Sequence, residues 1–231
     1  MAGLWLRLFY FGKFMNDTTI LFDLDGTLID STAAILESFK FSFEMYGEIC
    51  PQDEKITELI GYPLDYMFIH LGVENQKEKI ENHIKFYKMK YHQVYLDKTS
   101  LISGAEEALK TCHQFADLGV VTTKTSKFSK ILLNHLGIGT FFKTIIGRED
   151  AKNPKPNAEP ILNALKMLKK SKEKAFMIGD TILDLKSAIN ANITPIALTC
   201  GYGKLEDLQK FTKYIFSTPF EAANFISNLK K

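Results

Sequence analysis

Short apolar runs recur along the chain and end in polar residues, and the first of them sets the pattern. Residues 20–22 are Ile-Leu-Phe, and two carboxylates, Asp23 and Asp25, follow at once. A continuous apolar run of this length is typical of a strand buried on both faces, as in a parallel sheet. Comparable runs predict further strands at residues 118–122, 144–146, 175–178, 195–198 and 214–216.

The segments between these apolar runs show the periodicity of helices. Apolar residues at helical spacing predict a helix after the first strand, with Asp30 or Ser31 as its cap and Gly47 at its end. Ser103 and Glu106 have the spacing of a capping box, which predicts a helix that begins there. The same periodicity predicts helices at residues 63–71, 74–95, 126–136, 159–168, 184–191, 205–210 and 220–229.

Strands that alternate with helices predict an α/β fold with a doubly wound parallel sheet, that is, a Rossmann-like core. Residues 31–98 show helical patterns and no convincing strand, so we interpret them as an inserted all-helical cap domain. The core domain is then expected to comprise residues 15–30 and 99–231. Because the insertion directly follows the first strand, we expect it to lie beside the carboxylates as a lid.

Composition narrows the class of protein. The chain has 231 residues, 45% hydrophobic and 24% charged, with a formal charge of +2, which favours a soluble globular protein without a nucleic-acid partner. The apolar residues 1–14 are too few to span a bilayer, which takes about 20 residues. They are either an extra amphipathic segment or an N-terminal extension; we favour the extension and expect no membrane partner. The three cysteines fit a reducing compartment, so we expect a cytoplasmic protein. The oligomeric state stays open.

Polar side chains follow three of the predicted strands at their carboxyl ends. Asp23 and Asp25 follow the first strand, Thr122 the second and Asp180 a later one, while Lys155 lies in a loop between two prolines. Carboxyl ends of parallel strands meet at one edge of the sheet, so we expect these groups to converge. Carboxylate oxygens suit Mg²⁺, and a lysine with a hydroxyl suits a phosphate group. Together a metal and a lysine can neutralise charge on a transferring phosphoryl group.

Four motifs in order resemble those of the haloacid dehalogenase-like (HAD) hydrolase superfamily. The D-x-D-G-T sequence at residues 23–27 resembles the first motif, and Val-Thr-Thr-Lys at 121–124 the second. Lys155-Pro156 resembles the third motif and the G-D-x-x-x-D sequence at 179–184 the fourth. The matching stretch covers residues 20–198. All four motifs in order are highly specific, although the first alone is only moderately so.

The resemblance implies roles for the catalytic residues. Asp23 would be the nucleophile that becomes an aspartyl-phosphate. Asp25 would be the general acid that protonates the leaving group and the base that then activates water. Thr122 would hold the phosphoryl group through its hydroxyl, and Lys155 would neutralise nucleophile and phosphate.

The resemblance also implies metal and substrate contacts. Mg²⁺ would be bound by Asp23, Asp180 and the backbone carbonyl of Asp25, and Asp184 would support the metal site or Lys155. The implied substrate contacts are backbone amides, including those of Gly26 and Thr123. Tyr62 and Lys124 are further candidates for contact with the substrate.

The branch within the superfamily is indicated by the acid at Asp25 and by the cap. Superfamily dehalogenases lack an acid at that position, because a halide leaving group needs no proton. The insertion resembles a C1-type cap, and residues 59–64 resemble the cap loop of phosphoglycolate phosphatase-like proteins. Thr123 departs from the pattern, since an asparagine is usual there.

The implied function is therefore a Mg²⁺-dependent phosphomonoester hydrolase for a small phosphorylated metabolite, with phosphoglycolate as the first substrate to test. Two alternatives stay open. One is a phosphosugar mutase similar to β-phosphoglucomutase, which would pass the phosphoryl group to a sugar. The other is a HAD-fold binding protein that has lost catalysis.

Overall fold

The computed structural model describes residues 17–229, so the interpretation of residues 1–14 as an extension lies outside the described residues. Strands in the described part form a six-stranded sheet and a separate two-stranded ribbon. In chain order they are β1 (Thr18–Phe22), β2 (Ile29–Asp30), β3 (Ser100–Leu101), β4 (Ala116–Val121), β5 (Phe142–Ile146), β6 (Ala175–Gly179), β7 (Thr194–Leu198) and β8 (Ile215–Phe216).

Every pairing in the six-stranded sheet is parallel, and the strand order is β5-β4-β1-β6-β7-β8. Phe22 at the end of β1 pairs with Val120 on one side and Ile178 on the other. From β1 the chain builds outward first through β4 and β5, and then on the opposite side through β6, β7 and β8. The strand order therefore reverses at β1, which is where open α/β sheets bind their ligands.

Helices separate these strands, as the periodicity predicted. In chain order they are α1 (Thr32–Met45), α2 (Asp53–Thr57), α3 (Leu64–His70), α4 (Lys77–Val94), α5 (Ala105–His113), α6 (Ser126–His135), α7 (Glu159–Leu168), α8 (Ile182–Ala191), α9 (Leu205–Leu208) and α10 (Pro219–Asn228). Single 3₁₀ turns lie at Gly139–Phe141 and Arg148–Asp150.

Both faces of the sheet are covered, because successive side chains of a strand point to opposite faces. Ile20 and Phe22 pack in a core cluster with apolar residues of α5 and α10, whereas Leu21 packs in a second cluster with residues of α7 and α8. All three side chains are fully buried. The predicted α/β fold with a doubly wound parallel sheet is confirmed.

Helices α1 to α4 lie between β2 and β3, and no strand lies among them in the described part of the chain. Their interior is aromatic: the ring of Phe39 lies 4.8 Å from that of Phe68 and 4.9 Å from that of Tyr87. The two chain segments that connect these helices to the sheet pair as an antiparallel ribbon, with Ile29 opposite Leu101 and Asp30 opposite Ser100.

The predicted start of α5 differs from the structure, whereas that of α1 agrees with it. The capping box at Ser103 and Glu106 is wrong: Gly104 is the N-cap of α5, with φ of 82°, and no side chain caps the helix. This left-handed conformation suits a glycine. At α1 the prediction of Asp30 or Ser31 as the cap is confirmed: Ser31 occupies the N-cap position, and Asp30 Oδ1 accepts the hydrogen bond from Thr32 N at 2.9 Å.

None of the helices between residues 17 and 229 combines the length and the apolar character that crossing a membrane requires.

Candidate active site

The polar residues predicted at strand ends come together at the carboxyl edge of β1, β4 and β6. Asp23 follows β1, Thr122 follows β4 and Asp180 follows β6, and all three are buried. Lys155 reaches the same place from the loop before α7. Because β1 lies between β4 and β6, the three strand ends are neighbours, which explains the convergence.

Lys155 is a buried cation held by acceptors on several sides. Only 3% of the residue is exposed, and its Nζ lies 2.8 Å from Asp23 Oδ1 and 2.6 Å from Asp184 Oδ1. Nζ also donates to the carbonyl of Val121 at 3.2 Å. Burial opposes the charged form, but the Asp184 and Asp23 carboxylates outweigh it and raise the pKa of Lys155 above the usual lysine range. Lys155 therefore keeps its charge beside the proposed nucleophile.

Asp184 is committed to holding Lys155 and the start of α8. Its Oδ1 accepts the hydrogen bond from Lys155. Its Oδ2 accepts from Thr181 N at 3.1 Å and from Thr181 Oγ1 at 2.7 Å, which closes a capping box at the N-terminus of α8. With both oxygens engaged by the protein, Asp184 is suited to a supporting role.

Asp180 is fully buried and oriented by two donors. Thr27 Oγ1 donates to its Oδ1 at 2.8 Å, and the backbone N–H of Tyr202 donates to its Oδ2 at 2.9 Å. Burial, and then the neighbouring carboxylates of Asp184 and Asp23, raise the pKa of Asp180 well above its usual range.

The carboxylates of Asp23, Asp180 and Asp184 are close enough to one another to share a cation. Asp23, Asp180 and Asp184 each offer one oxygen, and these oxygens lie within 4.8 Å of one another. Three carboxylates against the single ammonium of Lys155 leave a formal excess of two negative charges in this buried cluster. Burial raises the pKa of Asp23 to about 7, which Lys155 opposes and Asp184 reinforces. An all-oxygen donor set with excess negative charge fits a hard divalent cation.

The side chain of Asp25 has partners outside this cluster. Ser31 Oγ donates to its Oδ1, and Lys124 Nζ lies 3.3 Å from its Oδ2. A metal contact through the backbone carbonyl of Asp25, as the family resemblance implies, is compatible with this orientation but stays a prediction.

The second motif contributes Thr122 and Thr123. Thr122 is buried, its backbone N–H donates to the carbonyl of Ile146 at 2.9 Å, and its Oγ1 accepts from Lys124 N at 3.2 Å. Thr123 lines a cavity together with Asp25. The roles of both threonines toward a phosphoryl group stay predictions.

In the structure the N–H of Gly26 has a partner other than the substrate that the resemblance implies. Its N–H donates to the carbonyl of Ile29 at 2.9 Å, so this amide already has a protein partner. Gly26 has φ of 80°, and a Cβ there would lie 2.3 Å from Asp180 Oδ2. The missing side chain lets the turn after β1 pack directly against Asp180.

A cavity of about 250 Å³ lies between the inserted helices and the loop after β4. Its lining includes Asp25, Tyr62, Thr123 and Lys124, which places both predicted substrate residues, Tyr62 and Lys124, beside the predicted acid. Tyr62 also stacks on Tyr66, with ring centroids 4.4 Å apart.

Sequence reasoning missed several residues that orient the site. Ser31 was expected to cap a helix, and Tyr91 was expected only as part of an apolar helix face. Thr27 was placed in the first motif without a role of its own, and its bond to Asp180 gives it one.

Comparison with known proteins identifies the family. Residues 20–198 match the model of the haloacid dehalogenase-like hydrolase family, so the chain belongs to this family. It is 34% identical over 177 residues to pyrophosphatase PpaX of Bacillus velezensis, covering 75% of this chain and 79% of that protein. It is 35% identical over 182 residues to pyrophosphatase PpaX of Halalkalibacterium halodurans, covering 78% and 82%.

Solved structures give the same result. A haloacid dehalogenase-like family protein from Streptococcus pneumoniae superposes with a TM-score of 0.81 at 29% identity, covering 91% of this chain and 98% of that one. A structure from Clostridium acetobutylicum, described as a predicted phosphatase, superposes with a TM-score of 0.83 at 28% identity, covering 91% and 98%. The predicted family is confirmed, and with it the prediction of a phosphatase-class enzyme.

Proposed function

We propose that the protein is a Mg²⁺-dependent hydrolase of a small phosphate compound that works through an aspartyl-phosphate on Asp23. The observation that supports this most directly is the buried cluster in which Asp23 lies beside Lys155, Asp180 and Asp184. A carboxylate next to a fixed ammonium is oriented as a nucleophile while the charge of an incoming phosphate is compensated.

In the first step an oxygen of Asp23 attacks phosphorus, a new P–O bond forms, and the bond to the leaving oxygen breaks. Asp25 gives its proton to that leaving oxygen. Lys155 and the hydroxyl of Thr122 stabilise the negative charge on the transferring group. Mg²⁺, when bound by Asp23, Asp180 and the carbonyl of Asp25, would supply further charge neutralisation.

In the second step Asp25, now a carboxylate, takes a proton from water. The water oxygen attacks phosphorus of the aspartyl-phosphate, phosphate is released and Asp23 is regenerated. Asp184 keeps Lys155 in place through both steps, because its other oxygen is tied to Thr181.

Two substrates have specific support. Phosphoglycolate is favoured by the resemblance of residues 27–31 and of the cap loop at residues 59–64 to phosphoglycolate phosphatase-like proteins. Pyrophosphate is favoured because the curated relatives with 34% and 35% identity are named pyrophosphatase PpaX. Phosphate release from a panel that contains both compounds, with and without Mg²⁺, separates them. A β-phosphoglucomutase-like activity would appear as an isomerised sugar phosphate in place of free phosphate.

The mechanism is tested by Asp23→Asn. We expect hydrolysis of p-nitrophenyl phosphate to fall by about a thousandfold or more, because the amide cannot form the covalent intermediate. Asp17→Asn is the matched control, since Asp17 is an exposed aspartate whose only ion pair among residues 17–229 is a 3.6 Å contact with Lys174. Activity that survives in Asp23→Asn, or that needs no divalent cation, excludes this mechanism.

We also propose that residues 31–98 act as a cap domain on a core of residues 15–30 and 99–231. The inserted helices line the cavity that contains Asp25, and the β2–β3 ribbon joins the two parts through two residues of each strand. A cytoplasmic location is supported by the three cysteines, Cys50, Cys112 and Cys200, all of which are free thiols.

A further inference from the structure

One ammonium connects the inserted helices to the proposed acid. Lys124, in the loop between β4 and α6, lies 3.3 Å from Asp25 Oδ2, and its Nζ donates to Tyr91 Oη at 2.7 Å. Tyr91 belongs to α4, one of the inserted helices. The same Nζ lies 4.6 Å from the centroid of the Tyr91 ring. Tyr91 therefore contacts the cation through both its hydroxyl and its ring.

The contacts of Lys124 with Asp25 and Tyr91 are shielded from water. They are therefore strong enough to orient these three side chains. The side chains of Lys124 and Asp25 are 11% and 12% exposed, and Tyr91 is 5% exposed. Burial opposes the charge on Lys124, but Asp25 and Tyr91 outweigh it and raise the pKa of Lys124. A charge-assisted hydrogen bond in such surroundings is stronger than one in water.

Tyr91 itself is held rigidly. Its ring stacks on those of Tyr87 and Tyr95, with ring centroids 5.6 and 5.5 Å apart. The ring of Phe128 is nearly perpendicular to it, with centroids 6.4 Å apart. The packing of α4 consequently fixes the position of the Tyr91 hydroxyl. The hydrogen bond to this hydroxyl in turn fixes the position of the Lys124 ammonium.

We propose that Tyr91 is a positioning residue for the acid–base chemistry of Asp25, and that it acts through Lys124. This inference rests on the proposed function. Tyr91 sets where the ammonium lies, and the ammonium together with Ser31 sets the orientation of the Asp25 carboxyl. The acid is then correctly placed only when α4 is packed against the core.

The consequence for the reaction lies in the first step. As the P–O bond to the leaving group breaks, the proton of Asp25 passes to the leaving oxygen and Asp25 becomes a carboxylate. An ammonium fixed next to it stabilises the negative charge that appears there, and this interaction is stronger in the transition state than before it. A poor leaving group such as an alkoxide needs this proton, whereas p-nitrophenolate is stable as an anion and leaves without it.

The test is the leaving-group selectivity of Tyr91→Phe, which removes the hydroxyl and keeps the ring. We would measure kcat/KM for p-nitrophenyl phosphate and for the best alkyl phosphate of a panel, because kcat/KM reports the step that forms the aspartyl-phosphate. The alkyl phosphate is expected to lose about tenfold more than p-nitrophenyl phosphate, in keeping with the loss of one charge-assisted bond. A general loss of stability would lower both values in proportion and leave their ratio unchanged.

The matched control is Tyr95→Phe, four residues after Tyr91, at the C-cap of α4. Tyr95 also stacks on Tyr91 and is 7% exposed, and in the described part of the chain it makes no hydrogen bond to Lys124 or Asp25. Its selectivity is expected to equal that of the unaltered protein. Equal losses on both substrates in Tyr91→Phe, or the same selectivity change in Tyr95→Phe, overturn the proposal.

A double-substitution cycle with Lys124→Met tests the route. If Tyr91 acts through Lys124, Lys124→Met shows the same selectivity loss, and adding Tyr91→Phe to it changes the selectivity no further. Additive effects on selectivity contradict the proposal. Failure of the unaltered protein to hydrolyse any phosphate compound refutes the proposed function instead, so the two failures are distinguishable.

Discussion

Lys155 is the residue on which the buried charges of the site depend. It lies within ion-pair distance of Asp23 and Asp184, and all three side chains are almost completely withdrawn from solvent. Removing one partner of a buried ion pair leaves the other charges uncompensated, which is far more costly than losing a surface pair. The lysine is therefore expected to contribute to folding as well as to catalysis.

Lys155→Met is predicted to lower the free energy of unfolding by about 3 kcal/mol in the absence of divalent cations. Urea unfolding at neutral pH measures this loss. Lys152→Met, at an exposed lysine three residues earlier in the same loop, is the control and should change stability by less than about 0.5 kcal/mol. Similar stability of the two variants would mean that the carboxylates do not need this cation.

Gly26 and Gly47 allow backbone strain to be separated from close packing. Both have positive φ, 80° and 64°, but a Cβ at Gly26 would meet Asp180 at 2.3 Å, whereas a Cβ at Gly47 would meet nothing within 4 Å. Gly47→Ala should cost only the left-handed conformation, about 1 kcal/mol. Gly26→Ala should cost clearly more and should also abolish phosphatase activity, because Asp180 must move.

Urea unfolding and a phosphate-release assay on both glycine variants check this expectation. If the two variants lose the same stability and Gly26→Ala keeps its activity, the turn after β1 accommodates the added methyl group without displacing Asp180.

At the scale of elements, the sequence predicted the strands and helices that have a clear hydrophobic pattern. It missed the features that depend on contacts with residues far away in the sequence. Apolar runs located β1 and β6 well, and Glu159–Leu168 was predicted to the residue. The β2–β3 ribbon has two residues in each strand, too few to show any alternation. The capping box at Ser103 failed because a left-handed Gly104 begins α5 instead.

The same distinction holds for the site. Asp23, Asp180 and Lys155 could be predicted because strand ends and a proline-bracketed loop fix their positions. The contacts of Ser31 and Tyr91 could not, because helical spacing identifies a buried face without identifying the group that the face will meet. Ser31 has an ordinary capping position, and its side chain turns to Asp25 only because the fold places that carboxyl within reach.

Helices α1 and α4 are joined by a buried histidine. His83 is fully buried, with Nδ1 2.9 Å from Ser42 Oγ and its ring stacked on Tyr46 at 4.2 Å. Its Nε2 lies 3.3 Å from Glu48, which also pairs with Lys79 at 2.7 Å. Burial lowers the pKa of His83, an effect that Glu48 opposes and Lys79 reinforces. The folded protein thus favours the neutral ring.

This arrangement predicts a loss of stability in mild acid. Below the unfolded pKa of about 6.5 the unfolded chain binds a proton that folded His83 resists, so the contribution of His83 to the free energy of unfolding falls as the pH drops from 8 toward 5.5, whereas the raised pKa of Asp23 acts in the opposite direction. His83→Gln should remove this contribution, so that lowering the pH destabilises the variant less than it destabilises the unaltered protein, whatever the substitution does to the absolute stability. Urea unfolding at several pH values measures the slope.

His135→Gln, at an exposed histidine on α6, is the control and should keep the pH dependence of the unaltered protein. An unchanged slope in His83→Gln would assign the acid sensitivity to other groups.

At the scale of the whole molecule, a nearly neutral chain concentrates negative charge at one point. The formal charge of the sequence is +2, yet Asp23, Asp180 and Asp184 lie together in the interior with one ammonium, Lys155, against them. Folding brings these carboxylates together at a cost that a divalent cation would relieve. In the unfolded chain Asp23 is far in space from Asp180 and Asp184, so the cation should bind the folded state selectively and stabilise it.

Mg²⁺ is therefore predicted to raise the melting temperature. A cation that binds only the folded state contributes about 2.7 kcal/mol when its concentration is a hundred times its dissociation constant. Thermal unfolding with a chelator and with increasing Mg²⁺ should show a rising Tm, independent of any substrate. Asp180→Asn removes one charge from the cluster and should abolish most of the shift.

Asp207→Asn is the matched control, because Asp207 is a half-exposed aspartate that pairs with Lys210 on the surface. It should show the same Mg²⁺ response as the unaltered protein. A shift that persists in Asp180→Asn would place the cation elsewhere, and an absent shift in the unaltered protein would mean that Lys155 and the raised pKa of Asp23 already balance the cluster. Since no substrate is involved, this measurement separates metal binding from catalysis.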